Sequence, residues 1–278
     1  MLASRGVLVK YVLVTSEGFI SEKEFAALLS EKTVLVTFAY VNSEIGVVQE
    51  VKALSRAVRL FRKEHTSVYP YMHLDASQAP LYLPCRMDSL GIDLMSIDAG
   101  KCYGPKGAGV LAMRGAVNIE PVFFGGSQEG GLRPGTENVG LMVGCAKALE
   151  IAQKGYEARA SRVGAMRDRF FTLLLKTFPN AVLNGSRAKR IANNLNISIP
   201  NVDGEYAVVG LDTRGISAST RSACRGNDDG GSHVIRALGA PEDVVFAAIR
   251  FSLSETTSKQ EITRAVEALK AHLATTTF

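Results

Sequence analysis

The chain has 278 residues, 46% of them hydrophobic and 21% charged, with a formal net charge of +5. That composition excludes a disordered or fibrous protein and allows one large or two ordinary domains. No apolar run approaches a membrane span, the longest being Val34 to Val41, and the opening Met1-Leu-Ala-Ser-Arg-Gly6 lacks a secretory pattern. Four scattered cysteines (Cys85, Cys102, Cys145, Cys224) show no C-x-x-C pairing. They argue against a disulfide framework or a metal site and for a reducing, cytoplasmic setting. Arg159, Arg162, Arg167 and Arg169 share one helical segment without interleaved aromatics, which reads as a solvated face and not as a nucleic-acid surface.

In chain order, Val7 to Val14 is β-branched and apolar, the pattern of a strand. Ser21-x-x-Glu24 caps a short helix over Glu22 to Leu29. Val34 to Tyr40 is apolar almost throughout, as buried parallel strands are. Val51, Leu54, Val58 and Leu60 form a helical stripe, and Tyr71 to Asp75 reads as a further strand. Leu94 to Ile97 is a short buried strand, followed by Lys101, a Gly104-Pro-Lys-Gly107 turn and a strand over Val110 to Met113. Phe123 to Thr136 is too rich in glycine for a regular element. A long helical pattern runs from Val139 to about Lys176. Beyond it the chain reads as α+β, with a strand over Ile191 to Ile199, a helix over Gly204 to Leu211 and a strand over Ala247 to Leu253. A final helix is capped by Ser258-x-x-Glu261, with Ile262, Val266, Leu269 and Leu273 on one side. Alternating strands and helices predict an α/β fold with a mainly parallel sheet over residues 1–156 and a smaller α+β domain over 157–278.

In parallel sheets, ligands gather at the carboxyl ends of strands, where Asp75 and Lys101 both fall. A lysine at the mouth of a core strand loses hydration, so its pKa falls and its neutral amine can attack an aldehyde. The bland reading is a surface lysine in a turn, and Asp75 can equally be the cap of the turn that follows it. Together the two suit pyridoxal phosphate, which needs an amine for its aldehyde and a carboxylate for its ring nitrogen. Arg133, Thr136 and nearby amides form either an anion site or a plain loop. Cys224 sits in a polar, glycine-rich stretch, as a travelling nucleophile or an incidental thiol. Arg250, among apolar neighbours, needs an anion: a substrate carboxylate or a structural ion pair. Gly104 to Gly109 as a nucleotide phosphate loop lacks the Gly-Lys-Ser/Thr ending and a following helix.

Several stretches carry a resemblance in family order. They are Val41-Asn-Ser-Glu-Ile-Gly-Val-Val-Gln49, His73-Leu-Asp-Ala-Ser-Gln78, Gly100-Lys-Cys-Tyr-Gly-Pro-Lys-Gly107, Leu132-Arg-Pro-Gly-Thr-Glu-Asn138, Ser222-Ala-Cys224 and Ile249-Arg-Phe-Ser-Leu253. The chain resembles the cysteine desulfurases, fold-type-I pyridoxal-phosphate enzymes of the class-V aminotransferase group. The resemblance implies that Lys101 holds the cofactor and moves protons at the substrate's α-carbon. Asp75 would pair with the pyridine nitrogen and Gln78 with the phenolic oxygen, while Thr136 would reach the phosphate of a neighbouring subunit in a homodimer. Arg250 would grip the L-cysteine carboxylate. Cys224 would take the sulfur as a persulfide, leave alanine, and pass the sulfur to an acceptor protein for iron–sulfur assembly or tRNA thiolation.

The chain departs from the family pattern in one direction. It begins well inside the large domain, without the glycine/threonine phosphate loop and the ring-stacking histidine. The family's Ser-x-His before the lysine is Asp98 and Gly100 here, and its second successive asparagine is Ser43. Two readings of a different kind therefore stand beside the desulfurase: a truncated, non-catalytic relative that binds desulfurase partners, and a selenocysteine lyase, which shares the lysine and the cysteine.

Overall fold

A computed structural model describes residues 3–220 and 231–275 of the chain. After a 3-10 turn at Ala3–Arg5, the elements are α1 (Glu22–Leu28), β1 (Leu35–Ala39), α2 (Val51–Glu64), β2 (Tyr71–Asp75), α3 (Met87–Leu90), β3 (Leu94–Asp98) and β4 (Gly109–Met113). There follow α4 (Val139–Gln153), α5 (Tyr156–Thr177), β5 (Val182–Leu183), β6 (Asn194–Ser198), α6 (Gly204–Asp212), α7 (His233–Ala237), α8 (Glu242–Val245), β7 (Ala248–Ser252) and α9 (Lys259–Ala274). They fall into two compact units, one of residues 29–40 and 51–156, the other of the chain up to Leu28, residues 41–50 and those from Glu157 on.

The first unit is built on a four-stranded sheet in the order β1-β2-β3-β4. The β1, β2 and β3 strands run parallel and β4 closes the series antiparallel. Side chains alternate between faces along each strand. Met72, Leu74 and Met95, on one face, are 0–1% exposed. The α2 helix buries Val51, Leu54 and Val58, at i, i+3 and i+7. Leu60, expected on that stripe, is 56% exposed, because its position lies well round the helix from Val58. Behind β3 the chain turns through Gly104, where an added Cβ would lie 2.9 Å from the Ala148 side chain of α4 and from the Ala99 carbonyl. Only glycine lets α4 come that close.

The second unit carries the antiparallel sheet β5-β6-β7. Its core includes Ile45, Val47, Ile235, Val245 and Ala248. The capping box of Ser258 and Glu261 starts α9, which buries Ile262, Val266 and Leu269. A Cβ at Gly210 of α6 would fall on the His272 ring, so the two helices meet at a glycine.

Three expectations need correction. Val7 to Val14 forms no strand beyond a single bridge from Val14 to Ile20. Leu8, Tyr11 and Leu13 there are 70–86% exposed, because no described strand takes up their ladder. The β1 strand is not buried: Leu35, Thr37 and Ala39 are exposed. The long helical pattern from Val139 is two helices, broken where Gly155 takes a φ of 76°.

Candidate active site

The loop after β3 determines how Lys101 is presented. Asp98 ends the strand and caps a 3-10 turn, Ala99–Cys102, by accepting a 2.9 Å hydrogen bond from the Gly100 amide. Tyr103 closes the turn in the left-handed region, its amide bonded to Ala99. Lys101 is exposed, as is Gly100 before it, and has no hydrogen-bond or ion-pair partner among the described residues. The loss of hydration expected at a strand mouth is not supplied by those residues, because the turn carries the ammonium beyond the sheet.

Asp75 closes β2 directly opposite Ser96 of β3 and Ala39 of β1. One carboxylate oxygen accepts the Ser77 amide at 2.9 Å, and the other is free among the described residues. Gln78 follows in the same turn, half-buried. The strand-end placement of Asp75 and Lys101 thus puts an open carboxylate and an open amine beyond two adjacent parallel strands. Below them His73 links three strands, with Nδ1 at 2.7 Å from Thr37 Oγ1 and Nε2 at 3.2 Å from Ser96 Oγ. Burial lowers the His73 pKa, opposed by Asp75. This chain of contacts was missed in the sequence, although period-two alternation already sets His73 on the Asp75 face. Thr136 is exposed at the end of the glycine-rich loop, in which the Arg133 guanidinium lies 5.5 Å from the centre of the Phe123 ring.

Cys102, next to the lysine in sequence, is buried, and its thiol donates to the Ala99 carbonyl at 3.3 Å. Burial pushes the Cys102 and Cys145 thiols up, and Cys85 up to about 12, so none of the three is a ready thiolate. Cys224 lies outside the described residues.

Arg250 belongs to the other unit, on β7. Its Nη1 donates to the Ser43 carbonyl at 3.0 Å, and its backbone pairs with Ser219. Among the described residues, its Nε is the buried side-chain atom without a partner. Burial lowers its pKa, and Glu44 opposes that shift. Glu44, only 2% exposed, was also missed. Its carbonyl accepts from Asn194 at 2.9 Å and Asn196 at 3.0 Å, and its carboxylate from Ser232 at 2.7 Å. The Ser43–Glu44 segment is therefore held on both sides, with its peptide carbonyls turned to β6 and β7. A guanidinium with a buried donor unspent is ready to receive an anion.

The aminotransferase class-V family profile matches residues 1–265. The chain belongs to the class-V aminotransferase family. Within it, the chain is 36% identical over 269 residues to cysteine desulfurase IscS of Dictyoglomus turgidum, covering 97% of this chain and 66% of that protein. It is 35% identical over 266 residues to cysteine desulfurase IscS of Methanosarcina thermophila, covering 96% and 64%. The chain thus spans slightly under two thirds of the length of these curated relatives. Among solved structures, a NifS-like protein superposes with a TM-score of 0.89 at 32% identity, over 99% of this chain and 70% of that one. A structure titled SspA in complex with cysteine gives a TM-score of 0.74 at 27% identity, over 92% and 69%. This class-V aminotransferase chain accordingly has the α/β fold of the type-I pyridoxal-phosphate transferases. The residues present fit the ring end of that cofactor, with an unpaired amine and an unpaired carboxylate oxygen at neighbouring strand ends. At the turn that carries the lysine they offer another anion, Asp98. No described helix is long and apolar enough to cross a membrane.

Proposed function

We infer that the chain carries the cofactor and carboxylate sites of a pyridoxal-phosphate-dependent cysteine desulfurase. Its reaction converts L-cysteine to L-alanine and hands the sulfur to an acceptor protein. The single observation behind this reading is that Lys101 and one carboxylate oxygen of Asp75, both without a partner among the described residues, lie beyond the ends of adjacent parallel strands, in a chain about 36% identical to a named desulfurase. Pyridoxal phosphate, when bound, supplies an electron sink next to the substrate's α-carbon. Lys101 would bind its aldehyde carbon and carry protons at that α-carbon. Asp75 would hold the ring nitrogen's proton, with Gln78 at the phenolic oxygen and Thr136 at the phosphate of a second copy in a homodimer. Arg250, with its free Nε, would take the substrate carboxylate as a planar fork.

Cys224 would form a sulfur–sulfur bond as the substrate's carbon–sulfur bond breaks, the bond pair staying with the carbon that becomes alanine's methyl group. The persulfide then moves to an acceptor of the iron–sulfur assembly or tRNA-thiolation kind. Three raised, free thiols at Cys85, Cys102 and Cys145 accord with a reducing cytoplasm and leave Cys224 as the nucleophile. The division of the chain at Tyr156 into a cofactor-binding part and a part carrying Cys224 belongs to the same proposal.

The test is a pyridoxal-phosphate titration followed by cysteine-dependent alanine release. A new absorbance band that is lost in Lys101→Ala, with alanine formed, supports the reading; an identical band in the variant sinks it. The exposure of Lys101 and Asp75 favours a second reading, a non-catalytic relative that binds desulfurase partners. Alanine release by the purified chain excludes it. Selenocysteine in place of cysteine separates the lyase variant.

A further inference from the structure

Antiparallel pairing sets Asn196 of β6 directly opposite Arg250 of β7, so the two side chains rise from one face of the sheet. Asn194 shares that face, two residues earlier. The three side chains converge on consecutive peptide groups of the 41–50 segment. Arg250 Nη1 donates to the Ser43 carbonyl at 3.0 Å, and Asn194 and Asn196 donate to the Glu44 carbonyl at 2.9 and 3.0 Å. The amide sides of the same two peptides are held as well. The Glu44 and Ile45 N–H groups donate to Asn42 Oδ1 at 2.9 and 3.0 Å. Both peptides are thus gripped at each end, by one guanidinium and three asparagines.

The two β6 asparagines cannot turn round. Arg190 has only donors, so Asn194 must present Oδ1 to its Nη1, at 3.1 Å, and its NH2 group to Glu44. Asn196 Oδ1 likewise accepts from Asn184 Nδ2 at 2.7 Å. Both side chains are buried, and an added Cβ at Gly46 would lie 2.6 Å from the Asn194 amide group, so glycine gives Asn194 its room. A guanidinium is a rigid plane: with its stem on β7 and Nη1 pinned to the Ser43 carbonyl, the direction of Nε is fixed. That Nε is buried and has no partner among the described residues. We propose that Asn42, Asn194 and Asn196 are positioning residues for carboxylate recognition. They hold the Ser43 and Glu44 peptides so that Arg250 meets the carboxylate of a small amino acid with Nε, and they act through the guanidinium without touching the ligand. The inference rests on the role of Arg250 in the proposed function and extends it to the residues that aim the guanidinium.

The experiment is a calorimetric titration of the 278-residue chain with L-alanine. Binding is expected in the parent and absent in Arg250→Met. Asn196→Ala and Asn42→Ala should each weaken it about tenfold, the scale of a sub-ångström misplacement of a positioned group. Asn42→Ser restores an oxygen able to accept the same two amides, and should bring affinity back to within about threefold of the parent. Ser258→Ala, which breaks the α9 capping box in the same unit, should lower the melting temperature and leave alanine affinity unchanged. A merely structural role would make the asparagine variants behave in that way. Should Asn196→Ala not fold, the two Asn42 variants decide. Parent-like affinity in Asn42→Ala, or equal loss in Asn42→Ala and Asn42→Ser, overturns the inference while Arg250 keeps its role. A parent that binds no alanine, or binding that survives in Arg250→Met, removes the role of Arg250 and the inference with it.

Discussion

Glu44 and Ser232 are separated by 188 positions in sequence and joined by a 2.7 Å hydrogen bond in the buried interior of one unit. Ser232 also caps α7 by accepting the Ile235 amide at 3.1 Å. One hydroxyl thus donates to a buried carboxylate while receiving a helix amide. Glu44→Ala leaves that hydroxyl's proton without its acceptor and removes a carboxylate beside Arg250, and should destabilise this unit by about 2–4 kcal/mol. Ser232→Ala strips both the cap and the carboxylate's donor, at ~1–3 kcal/mol. Since the two act on one contact, the double variant should cost less than the sum, which urea denaturation of all three variants measures.

The His73 bridge makes a prediction about acid. Burial holds the folded imidazole below its ordinary value of 6.5, against the pull of Asp75. Above about pH 7 both folded and unfolded rings are neutral, and this group's contribution is fully present. As pH falls through 6.5, the unfolded ring takes a proton that the folded ring refuses, so stability drops. His73→Gln should flatten the stability profile between pH 7 and 5 by up to one proton relative to the parent. Equal slopes in denaturation series at several pH values would show that the ring titrates alike in both states.

Arg250 yields a ligand effect that needs no cofactor. Its buried Nε has no acceptor among the described residues, while Nη1 is fixed on the Ser43 carbonyl. A small carboxylate, such as alanine, that meets the free donor should stabilise the folded chain, by about 2.7 kcal/mol at a hundredfold excess over its dissociation constant. Arg250→Met keeps the stem and removes the fork, and its melting temperature should not respond to alanine. A shift of equal size in parent and variant would place the carboxylate elsewhere.

How far these features could be read without coordinates depended on their range. The ends of β2 and β3 were legible because short apolar runs stop at Asp75 and just before Lys101. The α9 cap was legible because Ser258 and Glu261 satisfy each other locally. The openness of β1 was not, since an apolar run reads alike whether or not something lies over it. The break at Gly155 was hidden by helical patterns that continue on both sides of it. The environment of Glu44 is set by Asn194, Asn196 and Ser232, at least 150 positions away, and no local spacing encodes such a meeting. His73 stood in plain view in the β2 strand, and only its contacts with Thr37 and Ser96 show what it does.

Asp98 carries the most direct test of cofactor affinity. Its carboxylate caps the turn that presents Lys101, through the Gly100 amide. An ionised carboxylate about 4 Å from a phosphate charge costs ~4 kcal/mol at an effective dielectric of about 20. That is roughly a thousandfold in affinity. Asp98→Asn keeps an acceptor for the Gly100 amide and removes the charge, so the turn should persist while pyridoxal phosphate binds more tightly, by as much as that factor. Pyridoxal, which lacks the phosphate, should bind parent and variant alike. Fluorescence titrations with both ligands separate the effects: a gain confined to the phosphorylated ligand identifies charge repulsion, whereas equal gains for both would mean that the substitution acts through the shape of the turn.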